Sequence, residues 1–385
     1  EKNNTLGGHT RTVSIFEQKK KILVDTGFIV FNEKNYQDFI SFLNYLNVNS
    51  ENSEMSFSVS NINKNIEYGG SNLNSLFSQR KNMLSLKFIF FIFEILKLYR
   101  ICKKLYLKID LIDNISIEEF LTTNKFSKFI RDYHIYPMIS SIWSSNSEKA
   151  KQFPLKSFIE FFSNHGLFNI ISRPQWKYIK NGSSSYIKEL INKNMFSYET
   201  NFKIKTIKRE NDNIKILSDN KTYEFDKLVL ATHADQALSL IDKPTVEEKN
   251  LLSIFKYSKN LAVLHSDEKH MPQRKLSWSS WNFIKRGESD NFSLTYWMNK
   301  LQNLQSKKNY FVTINPSKLP ENVIDRTHFE HPIFSLETLK AQKELYKIQG
   351  KKNTYFCGSY FGYGFHEDGI QSAANLCKYL DVDLP

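Results

Sequence analysis

The feature that most constrains the fold of this chain is an uninterrupted apolar run at 227–233 that ends in Ala231-Thr232-His233. A strand that lacks polar alternation is typical of a parallel sheet covered on both faces. Three alternating segments precede the run, at 202–208, 214–218 and 222–225, and they predict an antiparallel meander. A second strand is predicted at 354–357, followed by a glycine-rich turn and a helix from about 369 to 380. The pattern therefore favours an α/β sheet protein.

The remaining segments predict a second domain inserted in pieces. A Phe-rich, mostly helical block is expected within 73–170, and aromatic strands at 276–284, 292–298 and 310–314 indicate a second, antiparallel sheet. A chain of 385 residues also exceeds the size at which one core usually divides. We therefore assign 1–72, 171–245 and 345–385 to a nucleotide-binding domain, and 73–170 and 246–344 to a substrate domain.

Composition excludes some classes of function. The net charge of +13 is compatible with nucleic acid, an anionic membrane face or a Lys-rich proteome. Lys, Asn and Ile are abundant throughout and no Arg-rich recognition helix is visible, so we predict no nucleic-acid partner. Three scattered cysteines and isolated histidines predict no metal site, and a cytoplasmic location. The apolar run at 88–98 is too short to span a bilayer. It is expected to form an apolar tunnel or membrane-facing helix, or else a bundle core.

Three segments carry the residue types of a dinucleotide site. Gly7-Gly8 permits a close backbone approach, and Glu1 could accept hydrogen bonds from a ribose, so a G-x-G-x-x-G strand is expected just upstream of Glu1. Gly358 and the helix start at Gly369 suit a phosphate or a flavin edge, although Asp368 could be a simple N-cap. The strand end at 231–235 lies where open α/β sheets bind ligands. His233 is either a cofactor contact or a polar linker residue.

These segments and others resemble a bacterial family of FAD-dependent, amine-oxidase-like oxidoreductases. The matching stretches are LGGHTRTV at 6–13, VDTGFIVFN at 24–32, MSFSVS at 55–60, YGG at 68–70, SRPQW at 172–176, LATHADQAL at 230–238, MPQRKLSWSSWNF at 271–283, TYWMNKLQ at 295–302 and YFCGSYFGYGFHEDGIQSA at 355–373. The resemblance runs nearly end to end, and the last stretch is the most specific. It implies the fold of monoamine oxidases, protoporphyrinogen oxidase and carotenoid desaturases: a Rossmann-like FAD-binding domain, with its first βα unit upstream of Glu1, and a discontinuous α+β substrate domain.

The resemblance also implies the cofactor, FAD, and the residues that hold it. Glu1 would take the ribose and Ile204 would lie beside the adenine. The other implied contacts line the diphosphate and the isoalloxazine ring: Gly7, Gly8, Thr10, Arg11, Thr12, Ala231, Thr232, Gly358, Gly369, Ile370, Ser372 and Ala373. Tyr360, Phe361 and Tyr363 are predicted to flank the substrate face, and the catalytic residues are not identified.

Two further motifs have competing interpretations. Trp278 and Trp281 are predicted to face the same side of a strand, where they wall a substrate cavity or pack in the core. Arg173, in Arg173-Pro174-Gln175-Trp176, is expected either to bind a substrate carboxylate or phosphate or to form a structural ion pair.

The leading functional hypothesis is hydride transfer from an apolar, fatty-acyl or lipid substrate to FAD, as in a desaturase. The alternatives are an amine oxidase, with aromatic rings beside the substrate nitrogen, and a non-catalytic FAD-binding partner of a lipid-modifying complex. Family members that occur with fatty-acid-modifying methyltransferases suggest a functional link of that kind. The expected partners are therefore a small-molecule or lipid substrate and a peripheral contact with the inner membrane.

Overall fold

The structure is a computed structural model that describes residues 1–112, 115–143, 147–210, 213–287 and 292–382. The strands are β1 (Thr12–Glu17), β2 (Lys20–Asp25), β3 (Phe31–Asn32), β4 (Ser50–Ser53), β5 (Phe57–Asn61), β6 (Ile66–Gly69), β7 (Trp176–Ile179), β8 (Ile204–Glu210), β9 (Asn213–Ser218), β10 (Thr222–Phe225), β11 (Leu228–Leu230), β12 (Lys256–His265), β13 (Trp281–Lys285), β14 (Phe292–Trp297), β15 (Phe311–Ile314), β16 (Val323–Ile333) and β17 (Thr354–Phe356).

The α-helices are α1 (Gln37–Tyr45), α2 (Leu73–Leu76), α3 (Leu86–Tyr106), α4 (Ile117–Thr123), α5 (Lys128–Ile130), α6 (Tyr136–Trp143), α7 (Ser147–Lys151), α8 (Leu155–Asn164), α9 (Ser184–Asn192), α10 (Ala234–Leu240), α11 (Val246–Leu252), α12 (Met298–Leu301), α13 (Leu336–Gln342) and α14 (His366–Cys377). Short 3₁₀ segments lie at Arg80–Leu84, Ile109–Leu111, Glu268–His270, Lys275–Ser277, Leu345–Ile348, Lys351–Asn353 and Ser359–Phe361, and Arg131–Ile135 is a π-helical segment. Among the described residues, no helix is both long and apolar enough to cross a lipid bilayer.

The predicted meander and parallel pair are confirmed. Strands β8, β9 and β10 form an antiparallel sheet, and β11 pairs in parallel with β17, with Leu230 opposite Phe356. Leu228 and Leu230 are buried as expected, but Val229 is 41% exposed, so the run is not covered on both faces. The underlying core contains residues of β8, β9, β11, α10 and β17, together with Phe255 and Tyr360.

A seven-stranded, mostly antiparallel sheet forms the second layer, in the order β16-β12-β15-β14-β13-β5-β6. This confirms the predicted second sheet, but β5 pairs in parallel with β13 and so joins it from the N-terminal part of the chain. By strand pairing, residues 57–69 therefore belong with the sheet of the predicted substrate domain and not with the rest of segment 1–72. The remainder of the domain division stays a prediction.

The helical layer contains α3 to α8 and packs around one large aromatic core, which we call the α3 core; it includes Phe88, Phe91 and Leu98. His134, on the π-helical segment, lies 3.0 Å from both Tyr68 Oη and Tyr99 Oη. Tyr68 donates to the carbonyl of Tyr133, so it accepts from Nδ1 of His134, and Nε2 accepts from Tyr99. Both nitrogens of the buried imidazole have hydrogen-bond partners only in this neutral tautomer, in which Nδ1 carries the proton.

A buried ion pair links strand β8 to helix α11. Arg209, on β8, places Nη1 2.6 Å from Oε1 and Nη2 2.8 Å from Oε2 of Glu248, with the two side chains 2% and 0% exposed. Glu248 also accepts from the N–H of Thr245, the N-cap of α11. The pair therefore holds α11 against the meander, because a buried carboxylate without a cation would be strongly unfavourable.

Candidate cofactor and substrate site

The candidate site begins where the two parallel strands end. The N–H of Cys357 donates to the carbonyl of Leu230 at 3.2 Å, so the residues that follow β11 and β17 stay side by side. A Cβ atom on Gly358 would lie 3.4 Å from the carbonyl oxygen of Thr232. Two segments that the sequence assigned to the cofactor are thus brought together at the carboxyl edge of the sheet, where ligands bind in open α/β folds.

Gly358 links this strand edge to the start of α14. Its φ is +152°, a conformation that favours glycine, and its N–H donates to Ser372 Oγ at 2.8 Å. The Ser372 hydroxyl in turn donates to the carbonyl of Gly369 at 2.7 Å. Apart from its chain neighbours and the backbone of its own helix, no described atom lies within 4 Å of the position of a Cβ on Gly369. The first turn of the helix, which also contains Ile370, therefore has open space beside it, as a bound cofactor requires.

The loop at Gly7-Gly8 packs into the same region. Both glycines have positive φ, and the N–H of Thr10 donates to the carbonyl of Gly7 at 2.9 Å. His9, the next residue, stacks on Phe329 with 4.8 Å between ring centroids. Its Nε2 is buried and has no hydrogen-bond partner in the described part of the chain. A buried polar atom of this kind needs an explanation, and a bound ligand supplies one.

Four histidines converge around this loop. The ring of His331 lies 5.5 Å from that of His9, and His366 stacks on Phe28 at 3.6 Å. His233 stacks on Tyr257, with its Nδ1 3.4 Å from Glu330 Oε2. This cluster, which comes from four distant segments, was not predicted.

Burial keeps these histidines neutral. It lowers the pKa of His331 and of His366 to about 3 and that of His9 to about 4, with neighbouring histidines adding to each effect. Within the described ranges, no group of three or more His, Cys, Asp or Glu side chains could hold a metal ion. The cluster is thus a neutral hydrogen-bonding surface.

The predicted adenosine contacts also lie close together. The N–H of Phe202 donates to the carbonyl of Glu1 at 2.8 Å, and the N–H of Asn201 donates to the carbonyl of Asn3 at 2.9 Å. Glu1 therefore lies beside the start of β8, where Ile204 is half-buried. The Glu1 carboxylate, which accepts from the N–H of Asn3, is exposed.

The polar side chains at 10–12, in the loop after Gly8, form their hydrogen bonds and ion pair within the protein. Arg11 pairs with both carboxylate oxygens of Asp325, and the Thr12 hydroxyl donates to Asp25 at 2.6 Å. The Thr10 hydroxyl bonds to Tyr186 at 2.8 Å. Any contact of these residues with a cofactor would therefore come from their backbone.

The three aromatic residues that were predicted to flank the substrate face lie in different parts of the structure. Tyr360 is 2% exposed and packs on Phe255 in the core beneath β11, while its predicted place beside the substrate stays a prediction. Phe361 is half-buried against the same core. Tyr363 turns to the helical layer, where its hydroxyl donates to Glu160 and its carbonyl accepts from Trp143 Nε1 at 3.2 Å. Tyr360, within the 3₁₀ turn at Ser359–Phe361, thus packs in the core beneath β11, and Tyr363, two residues after this turn, packs against the α3 core.

An aromatic wall that the sequence did not reveal completes the site. Phe365 stacks on Phe161 with 4.9 Å between centroids, and Phe161 stacks on His165 at 3.9 Å. Trp143 lies 4.9 Å from Phe161 at a steep angle. These rings, together with Tyr363, join α6 and α8 to the start of α14. The contacts span some 200 residues of chain, so no local pattern could reveal them.

The acidic pair at the helix start acts as caps. The Asp368 carboxylate accepts from the N–H of Phe365 at 2.8 Å, and burial raises its pKa to about 6. Glu367 accepts from the N–H groups of Asp38 and Phe39, both at 3.0 Å, and so caps α1. Asp368 therefore caps the helix as its third residue and not as the N-cap itself, which is Phe365, and this role coexists with the open space beside Gly369.

Two further predictions have clear outcomes. Trp278 donates Nε1 to the carbonyl of Pro272 at 2.8 Å and packs in a buried cluster with Phe311. Trp281 contacts Tyr296 in a different core cluster, so the prediction that the two tryptophans share one side is wrong. Arg173 forms no ion pair within the described residues; it borders an open cavity of about 500 Å³.

No protein-family model and no curated protein sequence matches the chain. Solved structures do match it. A fatty acid isomerase from P. acnes that produces CLA has a TM-score of 0.68 and 13% identity, covering 99% of this chain and 92% of that one. Putrescine oxidase bound to putrescine has a TM-score of 0.68 and 12% identity over the same shares. Cyclohexylamine oxidase from Brevibacterium oxydans IH-35A has a TM-score of 0.66 and 12% identity, with shares of 99% and 93%.

The chain has the amine oxidase fold. This confirms the predicted fold class, because the same arrangement of mixed sheets and helices extends over nearly the whole chain. Within this fold, three segments meet in one place: the edge of β11 and β17, the Gly7-Gly8 loop and the start of α14. The aromatic wall borders them. At these identities the likeness concerns the fold, so cofactor and substrate follow below as proposals.

Proposed function

We propose that the protein is an FAD-dependent oxidoreductase that removes hydride from an apolar, fatty-acyl or lipid substrate. The observation that carries the proposal is the convergence of three glycine-containing segments around an unpartnered buried nitrogen, His9 Nε2, within the amine oxidase fold. Positive φ at Gly358 and open space at Gly369 are the properties expected of backbone that approaches a flat dinucleotide.

The assigned cofactor residues fit FAD in the order in which the structure arranges them. Glu1 and Ile204 would hold the adenosine end beside the meander. The backbone of 7–12, together with Ala231, Thr232 and Gly358, would line the diphosphate. The α14 turn that contains Gly369, Ile370, Ser372 and Ala373 would face the ring system with the positive end of its dipole. When bound, the flavin supplies the hydride acceptor.

An apolar substrate is supported by the aromatic wall. Tyr363 and Phe365 are half-buried against the buried rings of Trp143 and Phe161, and the polar atoms of Trp143 and Tyr363 are engaged within the protein. Such a wall excludes water and orients a chain by contact alone. The fatty acid isomerase with the same fold is consistent with an acyl substrate.

Amine oxidation is the second candidate, because putrescine and cyclohexylamine oxidases share the fold. An aromatic pair made of Tyr360 and Tyr363 would support it, but Tyr360 is buried in the core beneath β11. The third candidate, a non-catalytic FAD-binding partner of a lipid-modifying enzyme such as a methyltransferase, predicts cofactor binding without turnover.

Anaerobic titration separates the candidates. The protein, loaded with FAD, is mixed with fatty-acyl lipids or with amines, and the flavin absorbance is followed. Bleaching by acyl lipids alone supports the proposal, bleaching by amines alone supports amine oxidation, and an unchanged spectrum with both supports the partner role. If no FAD binds, the cofactor assignment fails.

A variant tests the site itself. Gly369→Leu fills the open space beside the first turn of α14 and is expected to abolish FAD binding while the circular dichroism spectrum is unchanged. Asn375→Leu, exposed on the same helix, is the matched control and should bind FAD normally. Equal FAD affinity of the two variants would contradict the placement of the cofactor.

A further inference from the structure

The long helix α3 presents two different faces. On its inward face Phe88, Phe91, Leu98 and Cys102 are buried in the α3 core. Ser85 caps the helix by accepting from the N–H of Phe88. The outward face is not covered by any part of the chain that the structure describes, and its composition is not that of an ordinary solvated surface.

One line of exposed residues runs along this outward face. Its members are spaced alternately by four and three positions, which places them on a single stripe of an α-helix. We call it the α3 stripe: Leu86, Phe90, Phe93, Lys97, Arg100 and Lys104. The first three are apolar and the last three are basic. The α3 stripe is therefore apolar in its N-terminal half and basic in its C-terminal half.

The apolar half is unusually exposed. Leu86, Phe90 and Phe93 expose 83%, 60% and 63% of their surface, and Leu84, just before the helix, exposes 90%. Single exposed apolar residues are common, but a contiguous group of large ones marks a surface that contacts something else. Met83, also exposed, extends the group.

The basic half carries no compensating charge. Lys97, Arg100 and Lys104 form no ion pair with any described residue, and neither does Lys103, which is exposed beside the stripe. Glu94, the one acidic residue of α3, faces inward. Its carboxylate accepts from the N–H and the hydroxyl of Ser127, at 2.7 and 2.5 Å. The outward face of the helix therefore has a uniformly positive end.

We propose that the α3 stripe docks on the surface of an anionic lipid bilayer. Aromatic and aliphatic side chains next to unpaired Lys and Arg match the order of layers in a bilayer, in which an acyl region lies directly below anionic head groups. The helix would enter at a tilt, with Leu86, Phe90 and Phe93 below the phosphates and Arg100 and Lys104 among them. Charge complementarity selects this occupant over a second copy of the chain, whose own stripe carries the same positive charge.

The docking proposal is separate from the proposed oxidoreduction. It concerns where the protein lies, and it would remain valid if the substrate were an amine. The two are nevertheless compatible, because the inward face of α3 packs in the same core against which Tyr363 and Phe365 rest. A bilayer on one side of this helical layer and the aromatic wall on the other would shorten the path of an acyl chain to the site.

Vesicle co-sedimentation tests the proposal. The protein is expected to bind vesicles that contain phosphatidylglycerol and to bind pure phosphatidylcholine vesicles much more weakly. Each basic residue near an anionic surface contributes about fivefold, so Arg100→Gln/Lys103→Gln/Lys104→Gln should weaken binding roughly 100-fold. Salt at about 1 M, where the screening length is about 3 Å, should remove the same contribution.

A second variant tests the apolar half. Leu86→Ser/Phe90→Ser/Phe93→Ser is expected to lose vesicle binding while its melting temperature stays near that of the wild type, because the three side chains are exposed. Phe16→Ser/Lys21→Gln, on the exposed β1–β2 hairpin, removes the same residue types elsewhere and should bind as the wild type does.

Three outcomes would overturn the proposal: wild-type binding by the apolar variant, equal binding to both vesicle types, or a protein that stays in the supernatant. In the last case, a dimer in light scattering that the apolar variant dissociates would identify a second copy as the true occupant.

Discussion

Substituting alanine at Gly358 should disturb the proposed site and the fold together, by an amount that the structure allows us to work out. Gly358 lies directly after β17 with a φ of +152°, in a region of backbone space that is nearly exclusive to glycine. An added Cβ would also lie 2.9 Å from Cε1 and 3.1 Å from Cδ1 of Tyr360. The Tyr360 ring cannot move away easily, because it is packed against Phe255.

Two costs therefore add for Gly358→Ala. Holding a residue with a side chain in this backbone conformation costs about 1–3 kcal/mol. Forcing a methyl group into a packed core costs about 1–3 kcal/mol more. We expect a total loss of about 2–6 kcal/mol, which is a large share of the roughly 5–15 kcal/mol that stabilises a typical protein.

Urea unfolding, followed by circular dichroism, measures this loss as a lower midpoint at unchanged slope. Gly369→Ala is the matched control: its Cβ enters open space in a helix, where alanine is favoured by up to about 1 kcal/mol, so its midpoint should hold or rise. Combining Gly358→Ala with Tyr360→Leu should recover the contact part of the loss, as a coupling of about 1–3 kcal/mol in the double-mutant cycle.

Two results would refute this reasoning. A midpoint for Gly358→Ala that equals that of Gly369→Ala would mean that the conformation of Gly358 does not require glycine. A coupling of zero between Gly358 and Tyr360 would mean that the ring does not confine the strand end, and the argument that this turn is built for close approach would lose its structural basis.

Other predictions concern the interior. Tyr99→Phe leaves Nε2 of His134 buried without a donor, so we expect a loss of about 1–3 kcal/mol in urea unfolding. Burial, and then Arg173, lower the pKa of His134 to about 3, so stability should fall as the pH drops from about 6.5 towards 3, by up to about 1.4 kcal/mol per pH unit; His134→Gln should flatten this slope in unfolding measured across that range. Arg209→Met leaves Glu248 uncompensated and should cost about 3–5 kcal/mol in the same assay, and adding Glu248→Leu should restore most of it.

Local patterns predicted those parts of the fold that depend on neighbouring residues. Alternating polarity at 202–225 indicated the meander, and the apolar run at 227–233 indicated the parallel strand, because strand periodicity is written into the chain itself. The glycines of the last motif likewise indicated a turn at Gly358, where φ is positive. The same reasoning placed Asp368 at a helix N-terminus, as observed.

The rest depends on contacts between distant segments. Tyr360 and Tyr363 are three residues apart and looked equivalent, but the first, in a 3₁₀ turn, packs beneath β11 and the second packs against the α3 core. The parallel pairing of β5 with β13 joins residues more than 200 positions apart, and the histidine cluster draws on four segments. Residue spacing and composition do not reveal such contacts, because the sequence contains both partners but does not show how the fold brings them together.

Electrostatics of the assembled site bears on the choice between acyl and amine substrates. A protonated amine needs a free carboxylate or an open aromatic cage to replace its water. Near the start of α14, however, Glu160 accepts from Tyr363, Glu367 caps α1 and Asp368 caps its own helix. The neighbouring histidines are neutral, so they neither attract nor repel a cation. These three engaged carboxylates, next to a wall of stacked rings, support the proposal of a chain that brings no charge of its own.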